Sequence, residues 1–462
     1  MPYGAARLGM TGLSIALRRS FIHRFILCIL YSTTLSLSTL GLSQTSVLSD
    51  NVLVGPGASG LGGAYTAIAD DPTAIIYNPA GLIQIPANKR SLSYNSYITS
   101  TYKVDKILFD SEWKFEGTSS PFFAGTSYRN PSILPDWTFA GAAYDRGISS
   151  ARQRWSSSGK ETIPFLDSSD INGSFEAVTR QSTSALTLAG AAARSTTFGA
   201  FGFSVGFRSE KESSQQFTKL HFGPFDYSGK DVYSVNTSNI DKEAAGYAIE
   251  LGLGGLWKYN NWSFGAAFSQ VNFKKQKGET IDDSTYQSVD INDQPATSRV
   301  GDSDIPYPIT REQTKETDNY PFGRPPLRYR LGLAHSLSPT SRWSADIIGR
   351  GYSHTAKARI QPGADLALGI ETQIVGSFSA RFGAFNMTDQ ANTISKSGYK
   401  RADSYVDSIG LTSMLTYLAK GWSLSVGALY QQGEGKSGGK GMKTKDVESK
   451  VSSFSASFTS DQ

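Results

Sequence analysis

Residues 198–208, 247–259 and 422–431 each alternate an apolar residue with a small or polar one, and each carries aromatic residues near its ends. Successive side chains of a strand point to opposite faces. In 247–259, Tyr247, Ile249, Leu251, Leu253, Gly255, Trp257 and Tyr259 therefore share one face, while Ala248, Glu250, Gly252, Gly254 and Lys258 share the other. One face suits lipid and the other suits water. The Tyr and Trp at the ends of the apolar face sit where an aromatic girdle meets lipid headgroups, and such a span needs only about 9 to 11 tilted residues.

A soluble sandwich strand also alternates, so the spacing of the segments decides more. Fourteen are expected, at 91–99, 122–130, 137–145, 183–193, 198–209, 247–259, 262–274, 327–337, 343–354, 365–375, 378–388, 405–418, 421–432 and 447–458. The connections alternate. Long polar stretches such as 146–182, 210–246 and 275–326 follow odd-numbered strands, whereas Thr196-Thr197, Asn260-Asn261, Gly376-Ser377 and Lys420-Gly421 turn the chain within a few residues. Tight turns at one end and long loops at the other are the pattern of an antiparallel barrel in a Gram-negative outer membrane. A chain of 462 residues with no composition break after its N-terminal region fits one large closed sheet better than two soluble cores.

The first residues read as an export signal. Arg18, Arg19 and Arg24 precede an apolar stretch from Phe25 to Leu42, and Gly41-Leu42-Ser43 offers small residues before a cut, so the mature chain is expected to begin near Gln44. Cys28, the single cysteine, lies in this segment, leaving no thiol for a disulfide or a Cys-ligated metal in the mature chain. Loss of residues 1–43 removes four arginines and no acids, taking the formal charge from +5 to +1. Without a net basic field or a basic cluster on one element, nucleic-acid binding has no support.

Residues 55–82 read GPGASGLGGAYTAIADDPTAIIYNPAGL. Small residues allow close backbone packing, Asp71-Pro72 is expected to start a short helix with Asp71 as its cap, and Asn78-Pro79 to break it. This block resembles the hatch of the FadL family, transporters of long-chain fatty acids and other hydrophobic compounds, on its glycine run, Ala69-Asp70-Asp71 and Asn78-Pro79-Ala80. Fourteen strands behind a signal peptide match that family's architecture, and Asn261-Trp262-Ser263-Phe264-Gly265 looks like a family strand start. The resemblance implies three regions: a signal peptide at 1–43, a hatch at 44–90 and a transmembrane barrel at 91–462.

A barrel of about fourteen strands leaves a lumen, and an open lumen leaks. The glycine-rich block is placed to plug it, with Asn78 able to cross-link neighbouring backbone through its amide and Pro79 fixing the chain's direction. Expected gating residues are Asn78, Pro79, Ala80, Gly62, Gly63, Asp70 and Asp71. The resemblance further implies that ligand binding shifts the hatch and that hydrophobic cargo diffuses passively. Inward-facing charge is expected at Arg208, Glu250, Lys258, Arg328, Arg330, Asp346, Glu371 and Arg381, of which Arg208, Arg328, Arg330 and Arg381 are candidates to meet a fatty-acid carboxylate. The alternative for each is a lumenal ion pair. Asp70 and Asp71 lack the spaced oxygens of a calcium loop. His335, near a strand end, suits an interfacial aromatic better than a catalytic base, and neither enzyme chemistry nor a cofactor or metal is expected. The expected partners are a hydrophobic or fatty-acid ligand and outer-membrane lipid, with the chain acting as a monomer. Two other functions remain on sequence alone: an accessory barrel that anchors or shuttles surface proteins, and a porin for polar solutes.

Overall fold

The computed structural model describes residues 53–85, 88–130 except 105–112, 132, 134–145, 149–161, 171–226, 231–290, 297–300, 303–306, 310–319, 325–351, 353–354, 359–360, 363–388, 391–395, 398–401, 405–437 and 445–461, with 131 and 133 excluded. The expected signal peptide, its cleavage site and Cys28 lie outside these residues.

Fourteen antiparallel strands form a closed ring: β1 (Lys89–Val104), β2 (Phe122–Tyr128), β3 (Trp137–Asp145), β4 (Ile171–Thr196), β5 (Gly199–Asp226), β6 (Asp231–Tyr259), β7 (Trp262–Asp290), β8 (Arg328–Ser338), β9 (Ser341–Arg350), β10 (Gly363–Val375), β11 (Phe378–Met387), β12 (Tyr405–Ala419), β13 (Trp422–Ser437) and β14 (Lys445–Asp461). Each pairs with the next, and β14 returns to β1 with Lys89 opposite Asp461 and Val104 opposite Val447. Closure leaves the ring without an edge strand. All fourteen segments expected from the alternation are members of it.

The exterior carries the apolar face. On β5, Phe201, Phe203, Val205 and Phe207 are all about half exposed, and on β6 Leu251, Leu253 and Trp257 point the same way while Ala248 and Leu256 are buried inside. From Tyr247 to Trp257 this face covers roughly 33 Å of strand, or about 25 Å of height at the usual tilt, which matches the apolar band of a membrane barrel. Aromatic rings mark its lower border: Trp262 packs on His335 (4.3 Å between centroids) and Trp343, and Tyr417 packs on Phe378 and Trp422. His335 thus sits among interfacial aromatics. The turns at this border are short, with Asn260, Gly376 and Gly421 at φ 52°, 52° and 82°, the left-handed backbone that tight hairpins require.

At the other border the structure corrects the loop expectation. Residues 210–226 and 231–246 are continuations of β5 and β6, not loop, and β4 and β7 extend likewise. These extensions stand about 55 Å of strand beyond the end of the apolar face on β5. The apolar alternation does not mark them, because Lys211, Ser213 and Gln215 face out while Ser214 and Thr218 face in. Three further strands join this crown: Trp113–Ser119 and Ser149–Glu161 bridge β1 to β4, and Thr310–Asp318 pairs with β7. By contrast β8 to β11 stop near the top of the apolar belt, with Leu327 and Leu366 still exposed there.

Residues 53–85, which we call the hatch, lie inside the cylinder. They form α1 (Pro56–Gly60), α2 (Ala74–Tyr77) and a 3-10 turn (Pro79–Gln84), elements too short to persist without packing. Val54, Leu61, Tyr65, Ile68, Ile75, Tyr77, Leu82 and Ile85 make a buried cluster that reaches Phe123, Tyr144 and Ala334 of the wall. Two local expectations change. Helix α2 starts at Ala74, later than expected, although Asp71 makes the expected cap-type bond, its carboxylate accepting from the amide and hydroxyl of Thr73 in the turn that leads into the helix. Asn78-Pro79 ends α2 and also starts the next turn: Asn78 Oδ1 accepts from Ala80 N at 3.1 Å, and Pro79 takes the first position, where no N–H is needed.

Candidate functional site: the hatch and the cavity beside it

The hatch meets the wall backbone to backbone. Asn78 is fully buried, and its amide donates to Thr66 O (2.8 Å) within the hatch and to Gly255 O (3.0 Å) on β6. The approach is so close that a Cβ on Gly254 would lie 2.9 Å from Pro79 Cδ and 3.0 Å from Ala80 N. Gly265 on β7 likewise faces Thr66 and Ala67, where a Cβ would come within 2.8 Å of Ala67 N. Only glycine fits these positions.

Two strands on from β7, β9 grips the hatch with three alternate inward side chains. Arg342 Nη2 pairs with Asp70 (2.7 Å), Ser344 Oγ donates to Ala64 O (2.7 Å), and Asp346 Oδ2 accepts from Tyr65 N (3.0 Å) and Thr66 N (2.9 Å). Arg342 also pairs with Glu371 of β10, which in turn holds Arg381 of β11 at 2.7 Å. Thr412 of β12 donates to Gly60 O at 3.1 Å. Asp70 additionally accepts from Tyr65 Oη at 2.9 Å. Burial pushes the Asp70 carboxyl up, but the Arg342 and Arg381 guanidiniums outweigh it and hold the group below its ordinary range. Burial, with the charge of Asp70 beside it, pushes the Tyr65 phenol well above its ordinary value. Gly62 and Gly63 carry positive φ (63° and 91°); Gly62 packs on the backbone of Gly383 and Ala384, and Gly63 faces Leu53 and Ile348.

Between the hatch and β3 to β8 lies an open cleft, whose roughly 430 Å³ of space includes open solvent at its mouth. Ile75, Ile76, Tyr77 and Pro79 of the hatch form one side. The wall contributes small residues (Ala189, Ser204, Gly206, Gly252, Ala267) and four polar side chains, Tyr144, Glu250, Arg328 and Arg330. Tyr144 Oη donates to Glu250 at 3.1 Å, which fixes the acid against β3. Arg330 lies over the Tyr77 ring, its Cζ 5.0 Å from the centroid, and its Nη1 is 3.5 Å from Gly63 O. The chemistry is that of an apolar slot with two guanidiniums at one wall.

Of the four candidate arginines, Arg328 and Arg330 line this cavity. Arg208 is paired with Glu210 at 2.9 Å, and Arg381 is buried against Glu371, so these two are lumenal ion pairs. Lys258 lies on the exposed lower end of β6. Arg342, Ser344, Tyr65, Tyr77 and Tyr144 were not singled out from sequence; the inward phase of β9 pointed to the first two, but their partners are some 270 to 280 residues away. Among the described residues, no group of three His, Cys, Asp or Glu is placed to hold a metal ion.

No family model and no curated protein sequence matches this chain. Comparison with solved structures finds a FadL homologue from Pseudomonas aeruginosa, with a TM-score of 0.52 and 14% identity over 88% of this chain and 98% of that one. The chain has the FadL-type barrel fold. The monoaromatic hydrocarbon channel CymD is similar in the same way, with a TM-score of 0.51 and 12% identity over 88% of this chain and 97% of its own. At such identities the likeness is one of fold, and cavity chemistry has to be read from these residues.

Proposed function

We propose that this chain is an outer-membrane channel through which hydrophobic molecules bearing an acidic group, long-chain fatty acids foremost, enter passively. The observation that carries the reading is the cavity, where an apolar hatch face opposes small wall residues and the guanidiniums of Arg328 and Arg330. An alkyl chain fits the first two and a carboxylate the third. The apolar exterior band supports a membrane location, and the even strand number sets both ends of the cylinder's chain on one side. The shared fold with a FadL homologue and a hydrocarbon channel supports hydrophobic cargo.

In this reading the hatch is the gate. Asn78, Pro79 and Ala80 seat its lower turn on β6, Gly62 lets the loop lie against β11 and Gly63 against Ile348 of β9, Asp70 ties the loop to Arg342, and Asp71 holds Thr73 ahead of α2. Residues 1–43 serve as a removable export signal and a single chain forms the channel. The test is uptake of labelled oleate and labelled toluene by cells lacking the protein and by complemented cells. Faster oleate uptake on complementation is expected; equal uptake of both probes in both strains removes the cargo assignment. The tall polar crown favours one second reading, a barrel that holds surface proteins, which predicts co-purifying partners and loss of surface display on deletion.

A further inference from the structure

Where the apolar band gives way to the crown, the outer face of β5 to β7 carries four lysines. Lys211 of β5 and Lys277 of β7 stand opposite Ala245 from its two sides, so one row across three strands reads lysine, alanine, lysine. Two strand spacings separate their backbones by about 10 Å. One row lower, Tyr247 of β6 ends the band, half exposed and stacked on Phe207. Lys275 of β7 faces that tyrosine, and Lys274 beside it is the extra residue of a β-bulge. All four lysines are exposed. The nearest acids on this face, Glu243 and Glu279, lie one row higher, and Glu279 is held by Lys315 at 2.8 Å. On β12 to β14 the wall differs: two residues above Ile409, the row sets Asp407, Glu434 and Glu448 opposite one another. The lysines thus form a patch on one side of the cylinder.

We propose that this patch is a binding site for a phosphorylated, multiply acylated glycolipid of the outer leaflet, with its phosphates on the lysines and its acyl chains on the apolar face below. The proposal rests on the outer-membrane placement given above, with the crown outward. Four ammoniums so close repel one another, and a phosphate seated among them removes that cost. A lysine ammonium is a compact charge that suits phosphate. Two centres of positive charge on either side of Ala245 match two phosphates at the ends of a disaccharide, where a glycerophospholipid brings only one. Below them Phe207, Leu251, Leu253 and Phe268 offer exposed apolar surface to acyl chains, while Tyr247 sits at headgroup level. On β7 polar side chains begin lower than on its neighbours, and the exposed amide of Asn272, opposite Ile249, is placed to bond sugar hydroxyls.

The test assembles the full chain in phosphatidylcholine nanodiscs and measures retention of an added lipid by mass spectrometry. The probes are bisphosphorylated lipid A, the same lipid stripped of both phosphates, and phosphatidylglycerol. Bisphosphorylated lipid A should be retained about tenfold more than either of the others, and less at high salt. Lys211→Gln combined with Lys277→Gln should cut that retention about tenfold or more, given the usual effect of a lysine beside an anionic lipid surface. The charge-keeping pair Lys211→Arg and Lys277→Arg should retain it. Lys436→Gln combined with Lys450→Gln, on the other wall, should change nothing. If the first double variant does not assemble, Lys275→Gln alone should show a loss of about fivefold. Equal retention of the stripped lipid, equal loss from both glutamine pairs, or phosphatidylglycerol held as firmly as lipid A would overturn the site and leave the membrane placement standing. A chain that enters no bilayer removes that placement and this proposal together.

Discussion

Where the hatch faces β9 to β12 it is held by side-chain hydrogen bonds and ion pairs, from Arg342, Ser344, Asp346 and Thr412, whereas toward β4 to β8 it meets glycines, alanines and a cavity. The bonds from Asn78 to Gly255 and from Arg330 to Gly63 are exceptions on the packed side. The difference matters energetically. Separating the bonded side strands buried N–H groups and charges, at about 1 to 3 kcal/mol for each unsatisfied group. Separating the packed side loses dispersion contacts worth only about 0.1 to 0.2 kcal/mol per atom pair. The bonded side therefore specifies where the hatch sits, and the proposed gating predicts that movement begins on the side where the cavity lies.

The largest departure comes from removing both sides together. Deleting residues 57–82 should leave a heat-modifiable, folded barrel that admits sugars into liposomes roughly tenfold faster or more, because a fourteen-strand cylinder with nothing inside leaves a water-filled lumen. Next is the bonded side alone. Asp346→Ala leaves the Thr66 amide buried without its acceptor and the Tyr65 amide with Gly63 O alone, a cost of about 1 to 3 kcal/mol that should appear as faster hydrogen exchange of the hatch and increased sugar entry. On the packed side, Gly254→Leu forces the Asn78–Ala80 turn away from β6 at about 1 to 3 kcal/mol, and should raise leakage less than Asp346→Ala does. A larger effect from Gly254→Leu would reverse the comparison.

The smallest effect concerns pH. Asp70 and Arg342 are each about three-tenths exposed (31% and 29%), so solvent screens their pair and Asp70→Asn should cost about 1 kcal/mol or less. The folded-state carboxyl is held below its ordinary range, so the pair's contribution is complete above that range and is lost only as pH falls through the lowered value. The Asp70–Arg342 pair should accordingly contribute no step in leakage between pH 7 and about pH 4.5. A step near pH 6 that disappears in Asp70→Asn would contradict the assignment.

The ring of strands was readable because lipid imposes an apolar residue at every second position, as on Phe201 to Phe207. The crown was not, since water bathes both faces of Lys211 to Thr218 and nothing distinguishes strand from loop there. Arg208 and Glu210 are two apart on one face, and Arg381 lies directly opposite Glu371 across the Gly376-Ser377 turn, so both ion pairs follow from strand register. Arg328 and Arg330 reach the cavity because β8 brings its inward face from cavity to hatch within a few residues. The grip of β9 on residues 64–70 was out of reach, for nothing local marks which distant backbone Asp346 will satisfy.

The most direct test of a hatch-floored slot for acid-headed hydrophobes is mass spectrometry of the lipid extract from the purified barrel beside that of Ala189→Trp, whose indole fills the cavity. A carboxylated amphiphile held in stoichiometric amount by the native protein and lost from the variant is the predicted result; the same bulk phospholipid, and nothing else, from both would contradict it.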